Sequence, residues 1–248
     1  MNRLPYFLII LAALLLAGGA DAQPDRFDDV KLAQNFFRDA ARSRTFFGEG
    51  RFVYGFGDNF NTMTLAARGY YPVRPDLEIG AELGFGSFDP DIPGRDGESG
   101  LRDWRIAAKY HFFSPGQAHF AAGGYITLPV GEEGIGEGDT DLGGFGAMRV
   151  PLSPNLVATG ALGLDFVEIG DDYEANLHLG GGLIYAMQAN LDLIGEFAID
   201  TQTDEAVLSG VLDYKVSPTG SFRGGLALGL DDASPDLAIY LAFLQHFR

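Results

Sequence analysis

The stretch Arg102-Asp103-Trp104-Arg105-Ile106-Ala107-Ala108-Lys109-Tyr110-His111-Phe112 alternates in character at every step. Trp104, Ile106, Ala108, Tyr110 and Phe112 are apolar, and Asp103, Arg105, Lys109 and His111 between them are charged or ionisable. A period of two is a strand with two unlike faces. Ser114-Pro115-Gly116-Gln117 then reverses the chain, and Ala118-His119-Phe120 starts an antiparallel return. In a soluble sandwich the charged face of such a strand meets water and the apolar face a core. In an outer-membrane barrel the apolar face meets lipid and the charged face an enclosed lumen.

Working outward, the same alternation recurs at residues 51–56, 62–71, 77–86, 119–128, 142–150, 156–166, 176–185, 191–200, 207–216, 222–230 and 237–247, which with 103–112 makes twelve runs. Most are close to the roughly 9–11 residues that a tilted strand needs to cross a bilayer core. Their connections alternate. Residues 72–75, 114–116, 153–155, 188–190 and 217–220 are short and carry Pro or Asn, whereas most of the others (87–100, 130–140, 167–173, 201–205 and 231–236) are longer and acidic. Tight turns alternating with longer loops describe a bacterial barrel with turns toward the periplasm and loops outward.

Parity within each strand decides between sandwich and barrel. Arg51, Arg68, Glu78, Glu82, Asp103, Arg105, Lys109, Arg149, Asp165, Asp192, Glu196, Asp213, Lys215 and Arg223 all lie opposite the large apolar residues of their strands. So do the histidines, including His111, His119 and His178. These are the candidate lumen-lining residues. The apolar face carries aromatics at both ends: Tyr71, Phe112, Phe120, Tyr185, Tyr214, Phe222 and Phe247 at the turn end, and Phe56, Phe85, Trp104 and Phe166 at the loop end. Two aromatic bands separated by aliphatic residues match the interfacial girdles of a membrane barrel. Closure also removes sheet edges, whose unpaired backbone groups cost several kcal/mol in lipid. The reading is therefore an all-β, closed, antiparallel up-and-down transmembrane barrel of about twelve strands, covering residues 46–248.

Composition agrees. The 248-residue chain has no Cys and a formal charge of −17, which opposes nucleic-acid binding and removes any thiolate metal site. No metal-ligand spacing or cofactor motif stands out, and the acidic loops lack the spacing of a dedicated calcium loop, so they read as solvated. Residues 1–22 read as a signal peptide, with Arg3, an apolar run and Ala20-Asp21-Ala22 before Gln23. Export to the outer membrane of a Gram-negative bacterium follows. In residues 23–45 the apolar positions Phe27, Val30, Ala33, Phe36, Phe37 and Ala40 fall near helical spacing, which predicts a short periplasmic helix over 25–44 lying beside the barrel. The last strand alternates to Phe247 and resembles the aromatic-ended strand by which the outer-membrane assembly machinery recognises its clients, although Arg248 follows.

Thr127-Leu128-Pro129-Val130-Gly131, an acidic Gly-rich loop, Asp139-Thr140-Asp141-Leu142-Gly143 and Gly160-Ala161-Leu162-Gly163-Leu164 resemble a family of proteobacterial outer-membrane proteins of the transporter-like, or MetA-pathway-of-phenol-degradation, type. The resemblance covers about fifty residues of mid-barrel. It implies uptake of small, often hydrophobic or aromatic compounds.

The functional expectation is a narrow, porin-like channel. Acids and bases on the inner face balance, so the net negative charge belongs to the loops. An acidic mouth would enrich cations within a Debye length of about 8 Å. The inward small residues Gly80, Ala107, Ala121, Gly123, Gly180, Gly182, Gly225 and Ala227 leave room for a passage. Interleaved lumen charges either brace the wall by pairing or select solutes. The alternatives are a lipid-modifying enzyme, for which the inward Ser209 has no assignable base, and a structural or adhesive barrel acting through its loops. Expected partners are outer-membrane lipids and lipopolysaccharide, the assembly machinery and a small-molecule solute. The oligomeric state is left open.

Overall fold

A computed structural model describes residues 27–28, 30–58, 60–90, 96–113, 118–132, 134–136, 138, 140–169, 172–201, 205–231 and 233–247. The signal peptide and the turn at 114–117 lie outside the described residues. Thirteen strand segments follow one another: β1 (Phe46–Phe56), β2 (Phe60–Arg74), β3 (Leu77–Pro90), β4 (Glu98–Leu101), β5 (Trp104–Phe113), β6 (His119–Leu128), β7 (Leu142–Ser153), β8 (Leu156–Ile169), β9 (Asp172–Gln188), β10 (Leu191–Asp200), β11 (Glu205–Lys215), β12 (Gly220–Gly229) and β13 (Leu237–Phe247).

Each strand pairs antiparallel with its neighbour in sequence, and β1 pairs with both β2 and β13, so the sheet closes on itself. The short β4 and the longer β5 both pair with β3, at Phe85↔Leu101 and Glu82↔Arg105. They are one strand interrupted at Arg102-Asp103, and the circumference therefore holds twelve strands. β3, β8 and β9 run further than their alternating stretches, into residues expected as loops. Hairpin hydrogen bonding continues there after the lipid-facing pattern has stopped, because beyond the hydrocarbon the outer face no longer has to be apolar.

The distribution of exposure inverts that of a soluble protein. Leu65, Leu162 and Leu226 are more than half exposed, while Lys109, Glu78 and Glu196 are about 1% exposed. Charged side chains are almost never fully buried unless partnered. A wall that shields them and bares its leucines is one whose outer solvent is hydrocarbon. Of the expected aromatic residues, Phe56, Tyr71, Phe85, Trp104, Phe112, Phe166, Tyr214, Phe222 and Phe247 are exposed, and Phe120 and Tyr185 are half-buried. Phe46 and Phe247 stack at 4.9 Å where β1 meets β13, and Phe222 packs on Phe243 at 4.9 Å. These pairs extend the turn-end band.

The N-terminal segment departs from expectation. Described residues 30–45 form no helix, and they lie inside the barrel rather than beside it. Val30, Ala33 and Ala40 are fully buried, but so are Lys31, Asn35 and Asp39. A surface helix keeps one face in solvent; this segment is buried at most of its described positions, with Gln34 and Arg44 exposed. Several of its backbone groups bond to wall side chains, and Val30 N–H donates to Phe27 O within the segment. The segment doubles back: an Asp28 carboxylate oxygen lies 4.0 Å from the Arg44 guanidinium, and Leu32 N–H donates across the loop to Asp39 at 3.2 Å. It is a compact Ω-loop with its neck at the turn end of the barrel, beside His119 and Glu78. Its tip reaches Glu196 and Phe197 on β10.

Candidate functional site

The candidate lumen residues fall into two groups that the strand register creates. The first is a ladder of alternating charge across β11, β12, β1, β2 and β3. Asp213 faces Arg223, Glu49 faces Arg68, and Arg68 faces Glu82 as direct cross-strand partners. Arg223 Nε donates to Asp213 at 2.6 Å and its Nη1 to Glu49 at 3.2 Å. Arg68 Nε donates to Glu49 at 2.7 Å and lies 3.8 Å from Glu82, which accepts from Arg51 at 3.0 Å. Tyr240 Oη of β13 donates to Glu49 at 2.8 Å and so fills the gap between β12 and β1. Directly opposed unlike charges stabilise a strand pair, and here each ion has its partner in the wall.

The second group spends its charge on the loop. Glu196 accepts from the backbone N–H groups of Ala33, Gln34 and Asn35, at 3.0 and 3.1 Å from the last two. Successive N–H groups aimed at one carboxylate form an anion-binding nest; here the wall supplies the anion and the loop the nest. Arg149 grips Asp39 with both sides of its fork, Nε donating at 2.6 Å, and donates to Phe27 O and Val30 O as well. Lys109 Nζ donates to Asp39 O at 2.8 Å and Ala41 O at 2.9 Å, and lies 3.3 Å from Glu78. Asp165 takes Arg38 of the loop, and Tyr70 Oη donates to Phe37 O at 3.2 Å. Burial alone would raise the carboxyl pKa of Asp39, but the charge and hydrogen bonds of Arg149, together with the Lys109 and Lys31 charges, hold the group below its ordinary value.

The remaining candidates are placed as follows. His111 Nε2 is 3.2 Å from Glu78, and His119 Nδ1 is 3.3 Å from Asp28 of the loop neck. His178 Nε2 is 3.1 Å from Asn35 Oδ1, Lys215 lies 3.9 Å from Asp192, and the Arg105 guanidinium sits 4.4 Å over the Tyr125 ring. Asp103 departs from the lumen group. It accepts from Gly131 N–H at 2.7 Å and Gly138 N–H at 3.3 Å and so folds the β6–β7 loop onto the break between β4 and β5. The inward glycines do not hold open space. A Cβ at Gly80 would stand 2.6 Å from the Tyr70 ring, and one at Gly180 would overlap Asn35 Oδ1. Gly80, Gly123 and Gly180 are recesses beside the Tyr70, Phe145 and Asn35 side chains, whereas a Cβ at Gly182 or Gly225 would run into the backbone of the neighbouring strand.

Sequence reasoning missed Glu49, Tyr70 and Tyr240 on the wall and Lys31, Arg38 and Asp39 on the loop. Glu49 shares the parity of Arg51, and starting β1 at Phe46 instead of residue 51 would have included it. Nothing in the period of residues 27–40 distinguishes a buried loop from an amphipathic helix.

With this geometry in hand, a family model described as the putative MetA-pathway of phenol degradation matches residues 24–246. No match is found among curated protein sequences. Among solved structures, an outer-membrane channel from Pseudomonas putida F1 is similar at 13% identity and TM-score 0.68, covering 88% of this chain and all of that one. The NanC porin aligns at 10% identity and TM-score 0.58, covering 81% and 99%, and the KdgM porin in complex with oligogalacturonate at 9% and 0.56, covering 81% and 99%. At these identities the likeness is one of fold: the architecture is that of outer-membrane channels and porins.

Proposed function

The chain belongs to the family described as the putative MetA-pathway of phenol degradation, and from that premise we propose that it is a narrow outer-membrane channel for small solutes, aromatic ones included, closed by its own N-terminal loop. One observation carries the reading. The bore is wide enough to admit a folded-back peptide with two phenylalanine side chains, Phe36 and Phe37, both nearly fully buried there. A passage that holds such a loop has room for a small solute once the loop shifts. The loop is held by polar contacts to the wall and not by strand pairing. Such contacts contribute about 0.5–3 kcal/mol each, so a seated and a displaced state can lie within a few kcal/mol of one another.

In this reading the protein is exported by residues 1–22 and sits among outer-membrane lipids and lipopolysaccharide. The assembly machinery receives it through β13, whose outer aromatics run to Phe247. No catalytic step is assigned. Ser209 Oγ is buried in the inner wall, and the nearest polar groups to His111, His119 and His178 are Glu78, Asp28 and Asn35.

Planar-bilayer recording of the refolded chain tests the reading. The wild type should show brief openings, and Glu196→Gln, which weakens the hold on the loop tip, should raise the open fraction by about tenfold. No conductance steps in either protein at any voltage would reject a channel and favour a structural barrel acting through its loops.

A further inference from the structure

Inside the bore the loop behaves like a bound ligand, and the groups that bind it describe a ligand class. Every hydrogen-bond partner of Arg149 among the described residues belongs to the loop, the Asp39 carboxylate foremost. With the loop seated Arg149 is 3% exposed, so displacing the loop would leave its guanidinium in the bore without these partners, a place that an anion can take. A guanidinium fork fits a planar carboxylate on two parallel N–H bonds. Lys109, across β6 from Arg149, would lose its two loop carbonyls at the same moment and, while keeping Glu78 at 3.3 Å, would offer the freed N–H donors to the same side of the bore.

A ring-sized slot adjoins this clamp. The Phe36 ring lies stacked at 5.8 Å from Tyr70, 5.6 Å from Phe47 and 3.9 Å under the Arg68 guanidinium, with Phe37 edge-on to Tyr70 at 5.5 Å. Tyr70 joins slot to clamp, because Lys109 Nζ sits 4.5 Å over its ring.

We propose that the bore contains a subsite for aromatic carboxylates, Arg149 and Lys109 taking the carboxylate and the wall at Tyr70, Phe47 and Arg68 taking the ring, and that the loop closes the channel by filling this subsite with Phe36, Phe37 and Asp39. The proposal rests on the channel reading and narrows its solute class. An aromatic carboxylate that reaches the subsite competes with the loop, so the solute itself favours the open state.

The test uses the full chain in detergent and in bilayers with benzoate as probe. Asp39→Ala removes the internal competitor's carboxylate, and benzoate should bind this variant about tenfold or more tightly than the wild type. Toluene, benzylamine and inorganic phosphate should gain nothing, and Arg149→Gln added to Asp39→Ala should abolish the gain. Equal binding of phosphate and benzoate, or a gain that survives Arg149→Gln, overturns the proposal. If Asp39→Ala fails to fold, wild-type currents serve: millimolar benzoate should raise the open probability and an equal concentration of chloride should not. Openings indifferent to benzoate overturn the subsite and spare the channel. Silence in every bilayer overturns the channel, while benzoate binding in detergent still judges the subsite.

Discussion

The two sides of the inner wall solve the same problem in different ways. From β11 round to β3, buried ions are neutralised by their neighbours in the sheet, in the order Asp213, Arg223, Glu49, Arg68, Glu82, Arg51. From β5 to β10, Arg149 and Asp165 meet opposite charges on the loop, Glu196 meets its backbone N–H groups, and Lys109 adds two of its carbonyls to Glu78 of the wall. The first side pairs its charges within the wall, although Arg68 also donates to Ala33 O of the loop; the second has its hydrogen bonds completed only when occupied. A buried charge with a permanent partner braces, whereas one whose partner can leave is a binding site in waiting. The bore is thus sided, and a solute's polar contacts are expected on the β5–β10 side.

The largest effect that would break this comparison lies in the ladder. Glu49→Leu takes the shared acidic partner from two buried guanidinium groups, leaving Arg223 with Asp213 and Arg68 with the more distant Glu82, and should cost about 3–5 kcal/mol of barrel stability in denaturant unfolding. Loop release should not accompany it; a jump in conductance with unchanged unfolding would show that the two sides are not separable. On the other side, Glu196→Gln should shift the loop equilibrium by about 1.5 kcal/mol toward release with little change in the barrel's midpoint. Lys31 sharpens the contrast through pH. Burial pushes this loop lysine down to about 8, against the raising influence of Glu78 and Asp39. Its ordinary value is about 10.4. The seated loop therefore binds fewer protons than the displaced one, and raising the pH from 8 to 10 should favour seating. The open probability should fall by up to about tenfold per pH unit, and Lys31→Met should flatten that profile. Tyr70→Phe removes one hydrogen bond to Phe37 O and should shift seating by only about 1 kcal/mol. Arg74→Ala breaks an exposed pair with Asp76 at the β2–β3 turn, and should stay within about 1 kcal/mol by every measure.

The legible part of this molecule was the part in contact with lipid. Trp104 to Phe112 alternates because one face must satisfy hydrocarbon and the other must not, and that demand recurs in each strand, so period and parity give the barrel directly. The inner contacts were harder to read. Whether Arg68 pairs with Glu49 depends on register, which the turns set and which no single strand reveals. Gly80 and Gly180 read as empty space because a sequence does not show that Tyr70 and Asn35 come to fill them. The N-terminal segment misled for a physical reason. Spacing of apolar residues signals a helix only when the other face is in water, and here Lys31, Asn35 and Asp39 are buried beside Val30, Ala33 and Ala40. The helical motif was a coincidence of two burial demands, one from aromatic wall and one from charged wall.

The meeting of Asp28 with Arg44 gives the loop both its strands of traffic at one mouth of the barrel. Because the chain goes in and comes out on the same side, nothing has to be threaded for it to leave or return, and the cylinder can be fully built before it is filled. The stopper also stays tethered through Thr45 to the first stave, so each closure is a unimolecular event whose speed does not depend on how much protein the membrane holds.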